Sequence, residues 1–277
     1  RPPLNRDELM DGVNYYPDNY LNRLAHEGIN GLWLSVEFRD LCPSRFFPGH
    51  GRDSGRRLAK LRQTVARCAR YGIRIFVFCN EPLAFGTAHY TLPLAELKGR
   101  PEFAGHRTPN GWTCFCTSSQ EGQAYLEECT GYLFEQVPGL GGMIAIVHGE
   151  RPTNCYSYDG FFAGNTCPRC SRRKPWDVYR DTLSTLSHGM HKAAPQAEFI
   201  AWLYTPAIRS DDRLSAREKR ETLRRIAGRA PRDVTVQVNF ESNGAVRQLG
   251  RTYTAYDYWL AWPGPSRFFA GCAAAAR

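Results

Sequence analysis

Apolar residues along this chain recur with two alternating periods, first at every third or fourth position and then at nearly every position. The first is the period of a helix with one buried face, and the second that of a short strand buried on both sides. A helix is predicted from Pro17 to about His26, with Pro17 in its first turn and Gly28 as its stop, and Gly31–Ser35 follows as a buried strand. The next pair is clearer. Leu58, Leu61, Val65 and Ala69 form one stripe over Arg56–Arg70, Gly72 ends the helix, and Ile73–Cys79 is a strand. Three more pairs follow: Glu121–Gln136 with Met143–Val147, Trp176–Ala194 with Glu198–Tyr204, and Ser215–Ala227 with Val234–Phe240.

Helix, glycine stop and apolar run, repeated in this way, mark parallel strands joined by helical crossovers and hence an α/β fold. Two architectures satisfy the pattern, a (β/α)8 TIM-type barrel and an open doubly wound sheet. No glycine-rich phosphate turn follows any of the strands, which favours the barrel. The pattern contains no strand ahead of Pro17, and the last strands must come from beyond Gly244, around Ala255–Trp259 and Arg267–Phe269. The barrel is therefore expected to be incomplete at the chain ends. With 277 residues, 42% of them hydrophobic, and no linker rich in Gly, Ser or Pro, residues 1–277 read as one domain.

Charge changes this picture little. A net charge of +9 and a pI near 9.1 would suit nucleic acid if the cations formed a stripe. Instead they are scattered over the predicted helices, as in Arg56-Arg57, Arg172-Arg173 and Arg224-Arg225, which is the habit of a solvated face. No nucleic-acid partner is expected. No run approaches the roughly 20 apolar residues of a membrane span, so a soluble chain with no membrane partner is expected. Clustered thiols tilt its compartment towards the cytoplasm.

Polar and acidic residues follow several strand ends: Glu37, Asn80, Glu81, His148, Glu150, Tyr204, Asn239 and Glu241. In a barrel these ends share one face, where active sites are built. Breaking a glycosidic bond needs an acid for the leaving oxygen and a second group for the oxocarbenium-like carbon. A lone Glu at the start of a loop is most often a surface residue. Glu150 differs because an apolar strand and His148-Gly149 deliver it to the mouth, where partial burial would raise its pKa. Glu241 and Glu81 are the candidates for the second carboxylate. Asn80, His148, Asn239 and Asp257 could hydrogen-bond sugar hydroxyls, and Trp202, Tyr204 and Trp259, with Trp112 and Trp262, could stack on sugar rings. Trp33 and Trp176 are expected in the core.

The stretch Tyr20–Leu34, the strand ending in Asn80-Glu81-Pro82 and the helix feeding Ile144–Glu150 resemble, in order and spacing, family 20-like glycoside hydrolases. These are (β/α)8 barrels of the β-N-acetylhexosaminidase type, and the resemblance spans roughly residues 15–205. The family's fourth strand ends in His-x-Gly-Gly-Asp-Glu, where Glu is the general acid and Asp orients the substrate's own acetamido group as nucleophile. The resemblance thus implies that Glu150 is the general acid. At the Asp position stands Gly149, so a protein carboxylate, Glu241 or Glu81, is expected to take the second role. Asn80-Glu81-Pro82 also resembles the acid/base motif of the large retaining-glycosidase clan, one strand too early, which suits a sugar-binding or second-carboxylate position. The leading expectation is a glycoside hydrolase acting on carbohydrate. Two others stand beside it: a non-catalytic carbohydrate-binding barrel, favoured by the missing Asp, and a zinc-dependent hydrolase using His148 and His89.

Five of the ten cysteines, Cys114, Cys116, Cys155, Cys167 and Cys170, fall in one region. The Cys167-Pro-Arg-Cys170 turn presents two thiolates to one metal, and Cys155 with Cys114 or Cys116 would complete a four-sulfur site for structural zinc. Buried free thiols and disulfides are the alternatives. A closed all-sulfur site leaves no position for water, so catalysis is expected to use no cofactor.

Overall fold

The computed structural model describes residues 7–149, 151–157, 164–204, 215–242, 244–255 and 264–277. All five helix–strand pairs form close to their expected bounds. In chain order the elements are α1 (Asp18–His26), β1 (Gly31–Ser35), α2 (Phe38–Leu41), α3 (Ser54–Ala69) and β2 (Arg74–Cys79). Four short strands follow, β3 (Phe85–Gly86), β4 (Leu92–Pro93), β5 (Ala104–Arg107) and β6 (Thr113–Phe115). Then come α4 (Gln120–Gln136), β7 (Gly142–His148), α5 (Pro175–Ala193), β8 (Glu198–Leu203), α6 (Ala216–Ala227) and β9 (Val234–Val238). The chain closes with β10 (Ala245–Gln248), β11 (Arg251–Thr254) and α7 (Arg267–Ala275).

The principal sheet has the strand order β1-β2-β7-β8-β9 and is parallel. Gly31 lies opposite Arg74 and Ser35 opposite Phe78. Strands β7 and β8 run the same way, since the Glu198 N–H donates to the Gly141 carbonyl and the Tyr204 N–H to the His148 carbonyl. Parallel strands bring their carboxyl ends to one edge, which is why the residues after β2, β7, β8 and β9 become neighbours. Among the described residues β1 and β9 are the outer strands.

By its contacts the chain divides into two compact units. The first takes in the described residues of Arg1–Cys79, Tyr125–Ile144 and Leu186–Phe199. Its core is built on α3, where Leu58, Leu61, Val65 and Cys68 are buried. Cys68 replaces the expected Ala69, which faces solvent, because the buried stripe drifts backwards by one position in the last turn. Trp33 is a second correction: it is 55% exposed, since β1 is an outer strand on which Leu34 is the one fully buried residue.

The second unit takes in the described residues of Asn80–Ala124, Ala145–Thr185 and Ile200–Arg277. It holds a small sheet of order β4-β3-β6-β5, in which β3 and β4 are parallel and β6 is antiparallel to β3 and β5. Strands this short carry no readable period, and the sequence pattern did not show them. Trp176, expected in the core, is half-buried beneath the Arg225 guanidinium, 5.0 Å from its ring centre. Arg267–Phe269, expected as strand, opens α7 instead. Ser266 accepts the Phe269 N–H as N-cap, an alanine-rich run follows, and Phe268 and Cys272 bury one face. Ala255 is buried and lies outside any strand, and the rest of Ala255–Trp259 falls outside the described residues. The hairpin of β10 and β11, turning at Leu249 and Gly250, stands in the stretch expected to supply a barrel strand. No described helix is long and apolar enough to cross a membrane.

Candidate functional site

Of the expected site residues, Glu150, Asp257 and Trp259, with Trp262, lie outside the described residues. The carboxylate candidates Glu81 and Glu241, with Asn80, His148, Trp202, Tyr204 and Asn239, stand at or just past the carboxyl ends of β2, β7, β8 and β9, within the second unit. After β2, Glu81 is buried, 2% exposed, and its Oε2 accepts the Leu83 N–H at 3.1 Å, so its carboxylate is turned partly onto its own loop. Asn80 lines a narrow cleft with Tyr90, Thr91, Trp112 and Arg151. There the Arg151 guanidinium lies 4.4 Å from the Tyr90 ring centre, and Tyr90 meets Trp112 edge-on at 5.6 Å.

At the end of β7, His148 is buried and its Nδ1 lies 2.8 Å from the Tyr179 hydroxyl. Burial, reinforced by the positive charge of Lys219, pushes its pKa down to about 3. The ring is therefore neutral at physiological pH and fixed by the protein, which suits a structural prop better than a proton donor. His89 is exposed, and neither histidine belongs to a metal-capable group among the described residues. The ligand set of a zinc-dependent hydrolase is thus not assembled from them.

Gly149 explains its own identity. A Cβ there would lie 3.0 Å from both the Tyr204 carbonyl oxygen and the Tyr204 ring, so any side chain at this position crowds the residue just past β8. Beyond β8, the Trp202 Nε1–H donates to Asn239 Oδ1 at 2.7 Å, and Trp202 packs edge-on against Tyr204 at 5.2 Å. After β9 comes Glu241, whose Oε1 is buried and has no hydrogen-bond partner among the described residues.

A separate cluster lies on the loops. The Sγ atoms of Cys116, Cys155, Cys167 and Cys170 all fall within 4.8 Å of one another, and all four residues are buried. Cys116 stands 3.7 Å from Cys167 and 4.0 Å from Cys170. Cys114 is not part of the set. It sits within β6, whereas Cys116 lies just past the strand end, beside the loops that carry the other three. Hydrogen bonds among the thiols hold Cys116, through Cys155, and Cys167, through Cys116, below the ordinary thiol range, and push Cys155 and Cys170, both through Cys116, above it.

No family model matches the chain, and no curated protein matches it. Among solved structures it is similar to the β-glycosidase BGL167, with 13% identity over 79% of this chain and 53% of that one and a TM-score of 0.46. It is also similar to a family 1 β-glucosidase from Thermotoga maritima, with 13% identity, 73% and 40% coverage and a TM-score of 0.39. The virulence factor SghA from Agrobacterium tumefaciens gives 12% identity, 87% and 57% coverage and a TM-score of 0.39. The chain spans about half the length of the first of these.

Two charged groups, Arg151 after β7 and Lys219 on α6, were not singled out by the sequence. Arg151 directly follows Glu150, and its place in the chain was the available signal. Lys219 is only 2% exposed, on the same face of α6 as Leu223 and Ile226. A lysine at a core position of an amphipathic stripe is a legible anomaly, because a buried ammonium needs a polar environment to hold it.

Proposed function

We propose that the chain is a glycoside hydrolase built on a (β/α)8 barrel, the parallel sheet of five strands being its described part. Glu241 carries this reading, by its buried carboxylate oxygen just past the end of β9, which has no hydrogen-bond partner among the described residues. Leaving such an atom unsatisfied costs about 1–3 kcal/mol, a cost that is understandable where a ligand will occupy the place. Glu81 is the weaker candidate for the same role, since its carboxylate already accepts the Leu83 amide. Glu150 donates the proton to the leaving glycosidic oxygen. Glu241 either attacks the anomeric carbon or draws the proton from an attacking water, and the separation of the two carboxyls decides which: about 5 Å for retention, roughly 6.5–9.5 Å for inversion. Asn239 and Trp202, tied to each other, and Asn80 supply sugar contacts. Packing of Gly149 on Tyr204 supports a mechanism in which the substrate's acetamido group is not oriented by an Asp.

The test is a panel of aryl glycosides turned over by the wild type, Glu150→Gln, Glu241→Ala and Glu81→Ala. Loss of turnover in the first two variants is expected, with azide restoring Glu241→Ala as a glycosyl azide if that residue is the nucleophile. Undiminished activity in both would remove the reading. A non-catalytic carbohydrate-binding protein is the second reading, favoured by Gly149, and saturable sugar binding without turnover by the wild type would select it.

A further inference from the structure

We propose that Cys116, Cys155, Cys167 and Cys170 hold one zinc ion as a closed, tetrahedral, all-thiolate site. Four sulfurs placed about 2.3 Å from a central zinc stand about 3.8 Å apart along each edge of the tetrahedron. The measured Cys116–Cys167 and Cys116–Cys170 separations, 3.7 and 4.0 Å, match that edge, and the full set lies within 4.8 Å. All four cysteines are free thiols.

Polar groups stand beside the sulfurs where metal-bound thiolates could accept from them. The His106 backbone N–H donates to Cys155 Sγ at 3.4 Å, and Ser118 Oγ lies 3.3 Å from Cys170 Sγ. Arg173 in turn donates to Ser118 at 2.8 Å, which places a cation one shell outside a centre of net negative charge. Such outer contacts orient metal-bound sulfur and moderate its charge. Gly105 makes the approach possible, because a Cβ there would come within 2.5 Å of Cys155 Sγ. With all four positions taken by protein sulfur, no water reaches the metal, so the site is structural. It would fasten the end of β6 to the loop after β7 and, across sequence separations of 51 and 54 residues, to the turn before α5. None of this depends on the glycosidase reading.

Elemental analysis of the full chain, purified without added metal, tests the site. About one zinc per chain is expected for the wild type and for Cys114→Ser, and less than about a tenth of that for Cys116→Ser and Cys167→Ser. Exchange of cobalt for zinc in the wild type should give the visible bands of a tetrahedral ion with thiolate charge transfer, a readout that stands even if a variant fails to fold. Metal-free protein with reduced thiols overturns the proposal, as does a disulfide within the set. Iron in place of zinc overturns the choice of ion, since four thiolates suit both. Equal metal loss in Cys114→Ser and Cys116→Ser overturns the ligand assignment.

Discussion

The sulfur cluster and the strand-end groups are both sets of buried polar side chains in the second unit, and they are built in opposite ways. In the cluster four like atoms, drawn from three segments of the chain, converge within 4.8 Å of one another. At the strand ends unlike groups are tied to different neighbours: Glu81 accepts the Leu83 N–H, His148 meets the Tyr179 hydroxyl, and Asn239 accepts the Trp202 indole N–H. A set that closes on itself has room for one small ion. A set of unlike groups with different partners suits a larger ligand bearing several polar atoms, and Glu241 Oε1 has no hydrogen-bond partner among the described residues. Function is thus expected at the strand ends and stability at the sulfurs.

Chemistry separates the two regions most sharply. Glu150→Gln and Glu241→Ala are each expected to lower kcat/KM on a glycoside substrate by about 10²–10⁴-fold with an unchanged circular dichroism spectrum. Cys116→Ser should do the reverse, costing several kcal/mol in denaturant unfolding through loss of the metal, whereas Cys114→Ser should cost far less. Equal costs for the two cysteines would erase the distinction between cluster and core.

Titration gives a third handle. The His148 pKa is about 3 in the folded chain against an ordinary 6.5, so above pH 6.5 this group leaves stability unchanged. Between 6.5 and 3 only the unfolded chain takes up the proton, and stability falls with falling pH by roughly 1.4 kcal/mol per unit. In urea unfolding at pH 4–7, the difference between wild type and His148→Gln should carry that slope; a flat difference would mean that the ring is not a buried neutral prop.

Smaller effects sharpen the boundary. Gly149→Asp should destabilise by about 1–3 kcal/mol without gain of hexosaminidase activity, because the new Cβ crowds Tyr204. Trp33→Ser, at an exposed position, should shift stability by no more than about 0.5 kcal/mol, and a large loss would mean that β1 is covered in solution.

Local pattern carried much of the fold. The stripe of Leu58, Leu61 and Val65, the stop at Gly72 and the strand after it are consequences of neighbours in sequence, since a helix or strand face is set by period alone. The Cys167–Cys170 turn and the Gly149 departure were equally visible, being short-range features. Other features depended on which segments meet. Whether Cys114 or Cys116 joins residues about fifty positions away rests on where β6 stops, and that strand is too short to announce itself. Trp33 is exposed because β1 is an outer strand, and Lys219 is buried because α6 turns that face inwards. The sequence alone therefore determined the alternating elements and the residue types able to do chemistry. Tertiary packing decided which of those residues converge, because burial and proximity arise from contacts between distant segments that no local period encodes.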